Sequence, residues 1–221
     1  MISSLMRMDL LSILVTVIAV VLSMSVHEMA HGLVSAWLGD PTAKIRGRLS
    51  LNPLAHIDWT GLLCLMLFGF GWAKPVPIDP SYYKDQKTGI IWTSFAGPVA
   101  NFLLAFVFLL IYTLLSFFAP AFVSSGFGVF IAAVLMNTAV ISIGFGIFNL
   151  IPIPPLDGAK IFWSFLPDRE YYRMMAGSQW TTLLFILLIA TGVLSRPLVM
   201  MRQTMLGWML QACIGLIGLF I

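Results

Sequence analysis

The chain is poor in charge. Only 10% of its 221 residues are Asp, Glu, Lys or Arg, while 60% are hydrophobic, and the mean hydropathy is +0.98. A soluble domain carries about 25% charged residues and roughly 45–50% apolar ones. That shortage excludes an ordinary water-surrounded core and makes lipid the expected solvent. The net charge is only +3, and the basic residues are spread through loops between apolar runs. Nucleic-acid binding needs Lys and Arg gathered on one face, so no nucleic-acid partner is expected. Cysteine is scarce as well: Cys64 and Cys213 lie far apart in apolar segments, without a paired ligand spacing. Both are expected to be packing residues. The sequence has no internal repeat and no low-complexity tract.

What is present is a series of apolar runs. The first, 10–38, follows Arg7 but has no small-residue cleavage site, so it is read as a retained helix and not as a signal peptide. Pro41 disfavours helix at the residue before it and is expected to end the run. Over 42–52, Lys44, Arg46 and Arg48 alternate with Ile45 and Leu49, which predicts a short β-hairpin. The run 57–72 has 16 residues interrupted by Gly61, Gly69 and Gly71. A spanning helix needs about 20, so this segment is expected to be re-entrant. Residues 73–80 are proline-rich and expected to be extended. The runs 90–118 and 126–150 are long enough to span, and 181–194 and 206–221 read as two further spans. The expectation is an all-α polytopic membrane protein with about five transmembrane helices, a re-entrant element and a short β-hairpin. It forms one domain over 1–221, with a catalytic core at about 10–160.

Histidine and glutamate are scarce too: three and two residues, respectively. Even so, two of the histidines and one of the glutamates fall in His27-Glu28-Met29-Ala30-His31. On a helix, residues i and i+4 lie about 40° apart on one face, so both imidazoles can bind one Zn²⁺. Glu28 can then take a proton from a zinc-activated water and deliver it to a leaving amine. Ionisable groups in a lipid-embedded helix are costly and by default mark function.

Two histidines leave a catalytic zinc one protein ligand short. His56 and several carboxylates are candidates. Asp157 stands out because it follows a helix broken by Pro152, Pro154 and Pro155, where unwound backbone can aim a side chain inward. If 57–72 does not cross the membrane, His31 and Asp157 fall on the same side. That arrangement also puts Lys44, Arg46, Arg48, Lys74, Lys84, Lys87, Lys160, Arg169 and Arg173 on one side, against Arg7, Arg196 and Arg202 on the other. By the positive-inside rule the site then faces the cytoplasm of a cell whose plasma membrane holds the protein.

These stretches resemble the site-2 protease family of intramembrane zinc metalloproteases. The likeness is carried by His27–His31, by 47–53 with His56 and Asp58, by 71–77, by Ala96-Gly97-Pro98-Val99-Ala100-Asn101, and by 149–152 through Asp157-Gly158. Trp59 departs from the proline expected there. The compact subgroup without PDZ or CBS domains is the best match. The resemblance implies one zinc per chain held by His27, His31 and Asp157, with Glu28 as general base. It also implies that Asn101 positions the substrate backbone or stabilises the oxyanion, with Asn149 a weaker candidate for similar work. The implied substrate is a transmembrane protein or peptide within the lipid bilayer. Pro75 and Pro77 suggest an exposed edge, beside which an unwound substrate strand can pair. A membrane carrier for a divalent metal would share the ligands, but has no use for a base at Glu28. A pseudoprotease would not need the intact set.

Overall fold

A computed structural model describes residues 10–50, 52–68, 71–175 and 179–219. Among these residues all regular structure is helical. Three helices are long and apolar enough to cross a membrane: α1 (Leu10–Trp37), α4 (Gln86–Phe118) and α6 (Gly126–Asn149). Between them lie short helices α2 (Thr42–Ile45), α3 (Trp59–Phe68) and α5 (Pro120–Val123). After α6 come α7 (Asp157–Phe162), α8 (Asp168–Met175), α9 (Gln179–Thr191) and α10 (Ser195–Gly218).

The expected β-hairpin is absent from the described residues. Gly39, at φ 103°, closes α1: its N–H donates to Ala36 O and the Asp40 N–H to Ser35 O, both at 3.1 Å. This is the glycine-based helix stop, and it hands the chain straight to Pro41, which opens α2. Arg46 N–H then closes a helical turn onto Thr42 O. Two alternating pairs, Lys44–Ile45 and Arg48–Leu49, were too few to impose a strand on a segment with a local helical solution.

The count of about five spans is also corrected. Three helices qualify, or four spans if α9 and α10, bent by 81° at their break, act as one. The reasons are local. With 13 residues, α9 is only about 20 Å long, and Arg196, Arg202 and Gln203 interrupt the apolar character of α10. The ten-residue α3 is likewise too short to cross. Arg7, Leu51 and Gly69, used in the sequence reading, lie outside the described residues.

Helices α1, α4 and α6 form the bundle. Small residues bring them close: Ala19, Ala105 and Ala139 are fully buried, and Ser142 Oγ donates to Ser23 Oγ at 2.7 Å between α6 and α1. Membrane helices pack through such small and hydroxyl side chains. Leu109, Ile143, Ile147 and Cys213 complete the core, which draws α10 onto the bundle. Leu103, Val107, Phe117 and Phe127 stay exposed, as expected of surfaces facing lipid. Asp85 caps α4 by accepting from Thr88 N–H, and Ser125 caps α6 by accepting from Gly128 N–H. With three long helices, the C-terminal ends of α1 and α6 and the N-terminal end of α4 meet on one side.

Candidate metal centre

His27 and His31 share one face of α1, and their Nε2 atoms lie 3.0 Å apart. Asp157, the first residue of α7, brings Oδ2 to 3.2 Å from His27 Nε2 and 3.1 Å from His31 Nε2. The aspartate reaches this point because residues 150–156 turn away from the end of α6 and Gly158 sits directly on the Leu150 carbonyl, where a Cβ would collide. These three are the group of metal-ligating side chains found among the described residues. A tetrahedral zinc with bonds of about 2.0–2.1 Å has ligand–ligand edges of about 3.3–3.4 Å. Three donors spaced this closely, from two imidazoles and a carboxylate, fit zinc.

The surroundings orient the donors. His31 Nδ1 donates to the Thr93 carbonyl at 2.6 Å, which leaves Nε2 as the lone-pair nitrogen. Lys160 Nζ donates to Asp157 Oδ1 at 3.1 Å, so the two carboxylate oxygens are divided between the lysine and the histidines. Burial alone would raise the Asp157 carboxyl. While the imidazoles are protonated, hydrogen bonds from His27 and His31, with the charges of His31 and Lys160, outweigh it and hold the group below the usual carboxylate range; neutral rings that bind a metal through Nε2 would give up those bonds. Gly97 on α4 faces both imidazoles: a Cβ there would lie 2.5 Å from His27 Cε1 and 2.7 Å from His31 Cε1.

Glu28 Oε2 accepts the Val76 N–H at 2.9 Å. Residues 73–79 therefore run beside Glu28, tied down by Lys74 N–H on His56 O and by Asp79 N–H on Asp40 Oδ2. Asn101, one turn beyond Gly97 on α4, is fully buried, and neither atom of its amide has a partner among the described residues. Asn149 instead donates to Phe145 O within its own helix. His56 is buried with Nε2 donating to Ser50 O at 2.8 Å, which makes it a strut of the loop. Sequence reasoning missed Thr93 and Val76, which act through backbone atoms, and Lys160, which it counted only as a topological charge. Gly97 was visible only as part of a motif.

The profile of peptidase family M50 matches residues 123–191. "Putative zinc metalloprotease YwhC" of Bacillus subtilis is 34% identical over 178 residues, covering 79% of this chain and 80% of that protein. The chain belongs to peptidase family M50. Two further relatives carry the name "Putative zinc metalloprotease Rip2". The one from Mycolicibacterium smegmatis is 29% identical over 79% of this chain, and the one from Mycobacterium tuberculosis 28% over 76%. The chain covers 66% and 62% of their lengths, so those proteins are longer than the shared region. No solved structure matches the chain. Membership makes the protein a site-2 protease-type zinc metalloendopeptidase. Zinc is its cofactor, and three apolar helices make it an integral membrane protein.

Proposed function

We propose that the protein hydrolyses peptide bonds in or beside transmembrane segments of other membrane proteins. The observation that carries this reading is the depth of the site. His27 stands ten residues before the end of α1, about 15 Å inside a helix that qualifies as a span. A substrate bond must come to that depth to be cut.

In this reading His27, His31 and Asp157 hold zinc, one per chain, and the whole of 1–221 serves one domain with its core at about 10–160. Zinc, when bound, acidifies a water and polarises a carbonyl. Glu28 accepts the water's proton on Oε1, since Oε2 is held by Val76, and later passes it to the amine nitrogen as the C–N bond breaks. The amide of Asn101, without a partner among the described residues, supports a role in donating to the substrate backbone or the developing oxyanion. Residues 73–79, running beside Glu28, are the element along which an unwound substrate would lie. Nine of the twelve Lys and Arg residues fall in segments joined at the end of the bundle that holds the site. With bacterial relatives, that bias supports a plasma-membrane protein whose site faces the cytoplasm.

The test is cleavage of a panel of single-span membrane peptides by purified protein, with zinc measured in wild type and Glu28→Gln. Both should hold about one zinc, and the variant should be slower by roughly 10²–10⁴-fold. Equal rates would remove Glu28 from the mechanism. A zinc-loaded wild type that cuts nothing across the panel would favour metal carriage.

A further inference from the structure

Arg48 is buried, at 9% exposure. A buried charge is expected to be paired or otherwise compensated. Among the described residues, however, no carboxylate lies within ion-pair distance of it. Its Nη2 instead donates to two carbonyls, Lys74 O at 2.6 Å and Pro75 O at 3.3 Å. The second belongs to the same peptide unit whose N–H, from Val76, donates to Glu28 Oε2 at 2.9 Å. In a planar trans peptide the C=O and N–H point in opposite directions. A cation thus meets the carbonyl end of this one peptide plane and a carboxylate meets its amide end.

The alignment is favourable at both ends. A peptide unit carries a dipole of about 3.5 D, negative at oxygen and positive at hydrogen. Hydrogen bonds in series polarise one another, more so in a low-dielectric interior. The plane has restricted freedom to turn, because Val76 precedes Pro77, which confines its backbone to the extended region, and Val76 packs beside Gly32 on α1, its Cγ1 2.9 Å from where a Cβ would stand.

We propose that Arg48 is a positioning residue for Glu28: it holds the Pro75–Val76 peptide by its carbonyl, so that the Val76 N–H fixes one oxygen of the base and leaves the other for proton transfer. This rests on the reading of Glu28 as general base. Arginine suits the task because it keeps its charge and its planar fork of donors can span neighbouring carbonyls.

The test uses full-length protein in detergent and a readout independent of cleavage. Residues 74–80 include Pro75, Pro77 and Pro80, so only Lys74, Val76, Ile78 and Asp79 carry an amide proton there. Hydrogen exchange with residue-level fragmentation can therefore isolate Val76. In Arg48→Met the Val76 amide should exchange roughly tenfold faster or more, approaching its rate in Glu28→Ala, with Arg48→Lys in between. Asp79, held by Asp40, should keep its wild-type protection. On the substrate panel, kcat of Arg48→Met should fall about 10–100-fold, the range seen for residues supporting a metal site, with KM and zinc content unchanged.

Unchanged exchange at Val76 would overturn the proposal. So would loss of protection at Asp79 as well as Val76, which marks a general clamp on the segment, or unchanged kcat in an otherwise active enzyme. If the wild type cleaves nothing, the reading of Glu28 as base fails and the positioning role fails with it. Exchange at Val76 then still decides whether Arg48 and Glu28 are coupled.

Discussion

The Nδ1 of His31 lies 2.6 Å from the carbonyl oxygen of Thr93, and the hydroxyl of the same Thr93 lies 3.2 Å from that of Tyr83. The chain of contacts continues from Tyr83 to Ser35 at 2.7 Å and from Ser35 to Asp40 Oδ2 at 2.7 Å. A buried polar line thus runs from the end of α1 to the ring that faces the metal site, crossing onto α4 on the way.

Removing the middle of that line should loosen the histidine. Tyr83→Phe leaves the hydroxyls of Ser35 and Thr93 short of a partner, at a cost of about 1–3 kcal/mol for a buried group. A lower thermal midpoint and faster zinc loss to a chelator are expected together. A lower midpoint with unaltered zinc release would show that the line ends at Thr93.

Gly97→Ala should cost the site its metal. The new methyl would press on both imidazoles, which are held by Asp157 and Thr93 and have little room to retreat. Zinc bound per chain should drop well below one while the helical circular dichroism is retained. Gly207→Ala, with nothing within 4 Å of its Cβ, is the matched control and should keep wild-type zinc and activity.

Asn101→Leu separates structure from function. An amide with no partner among the described residues, buried in a helix bundle, contributes little to stability, and an apolar replacement of similar size can be neutral or stabilising. Cleavage should nevertheless fall by about 10²–10³-fold if the amide serves the substrate. A variant that is both less stable and fully active would point to an interhelical role instead.

Acid should weaken the joint between α1 and the 73–79 segment. Burial would raise the Asp40 carboxyl, but it accepts from Thr42, Ser35 and the Asp79 N–H, and these hold it below its ordinary value of 3.8. A depressed carboxylate adds stability that is complete above its unfolded pKa and is lost as pH falls through the folded one. The loss should therefore begin only below about pH 4. Asp40→Asn should be less stable at pH 7 and show a flatter decline in that acid window. Parallel curves for the two proteins would rule Asp40 out as the cause.

Much of the centre was legible because its chemistry is written in side chains. Two histidines one turn apart had to share a face of α1. The proline break before Asp157, with the requirement that ligands meet on one side, pointed to the carboxylate that the structure brings within 3.2 Å of both imidazoles. The roles of Thr93 and of Val76, the latter visible only as part of the 71–77 stretch, left no mark, since any residue supplies a carbonyl or, proline apart, an N–H. The segment 42–52 differs from its expected hairpin because two alternating pairs carry less information than the glycine stop at Gly39 and the helical start it allows. The C-terminal spans were overcounted because hydropathy does not register a bend of 81°.

Gly32 follows His31 and carries no side chain where Leu49, Val76 and Ala43 converge, all within 3.3 Å of the vacant Cβ position. Two separate stretches of polypeptide are seated on bare backbone at that point. A methyl there would meet the side-chain tips of Leu49 and Val76 and force one of them to shift. The contact of the Val76 N–H with Glu28 thus depends on a side chain that is missing from the neighbouring turn of α1, and the packing of two loops meets the chemistry of the site at Gly32.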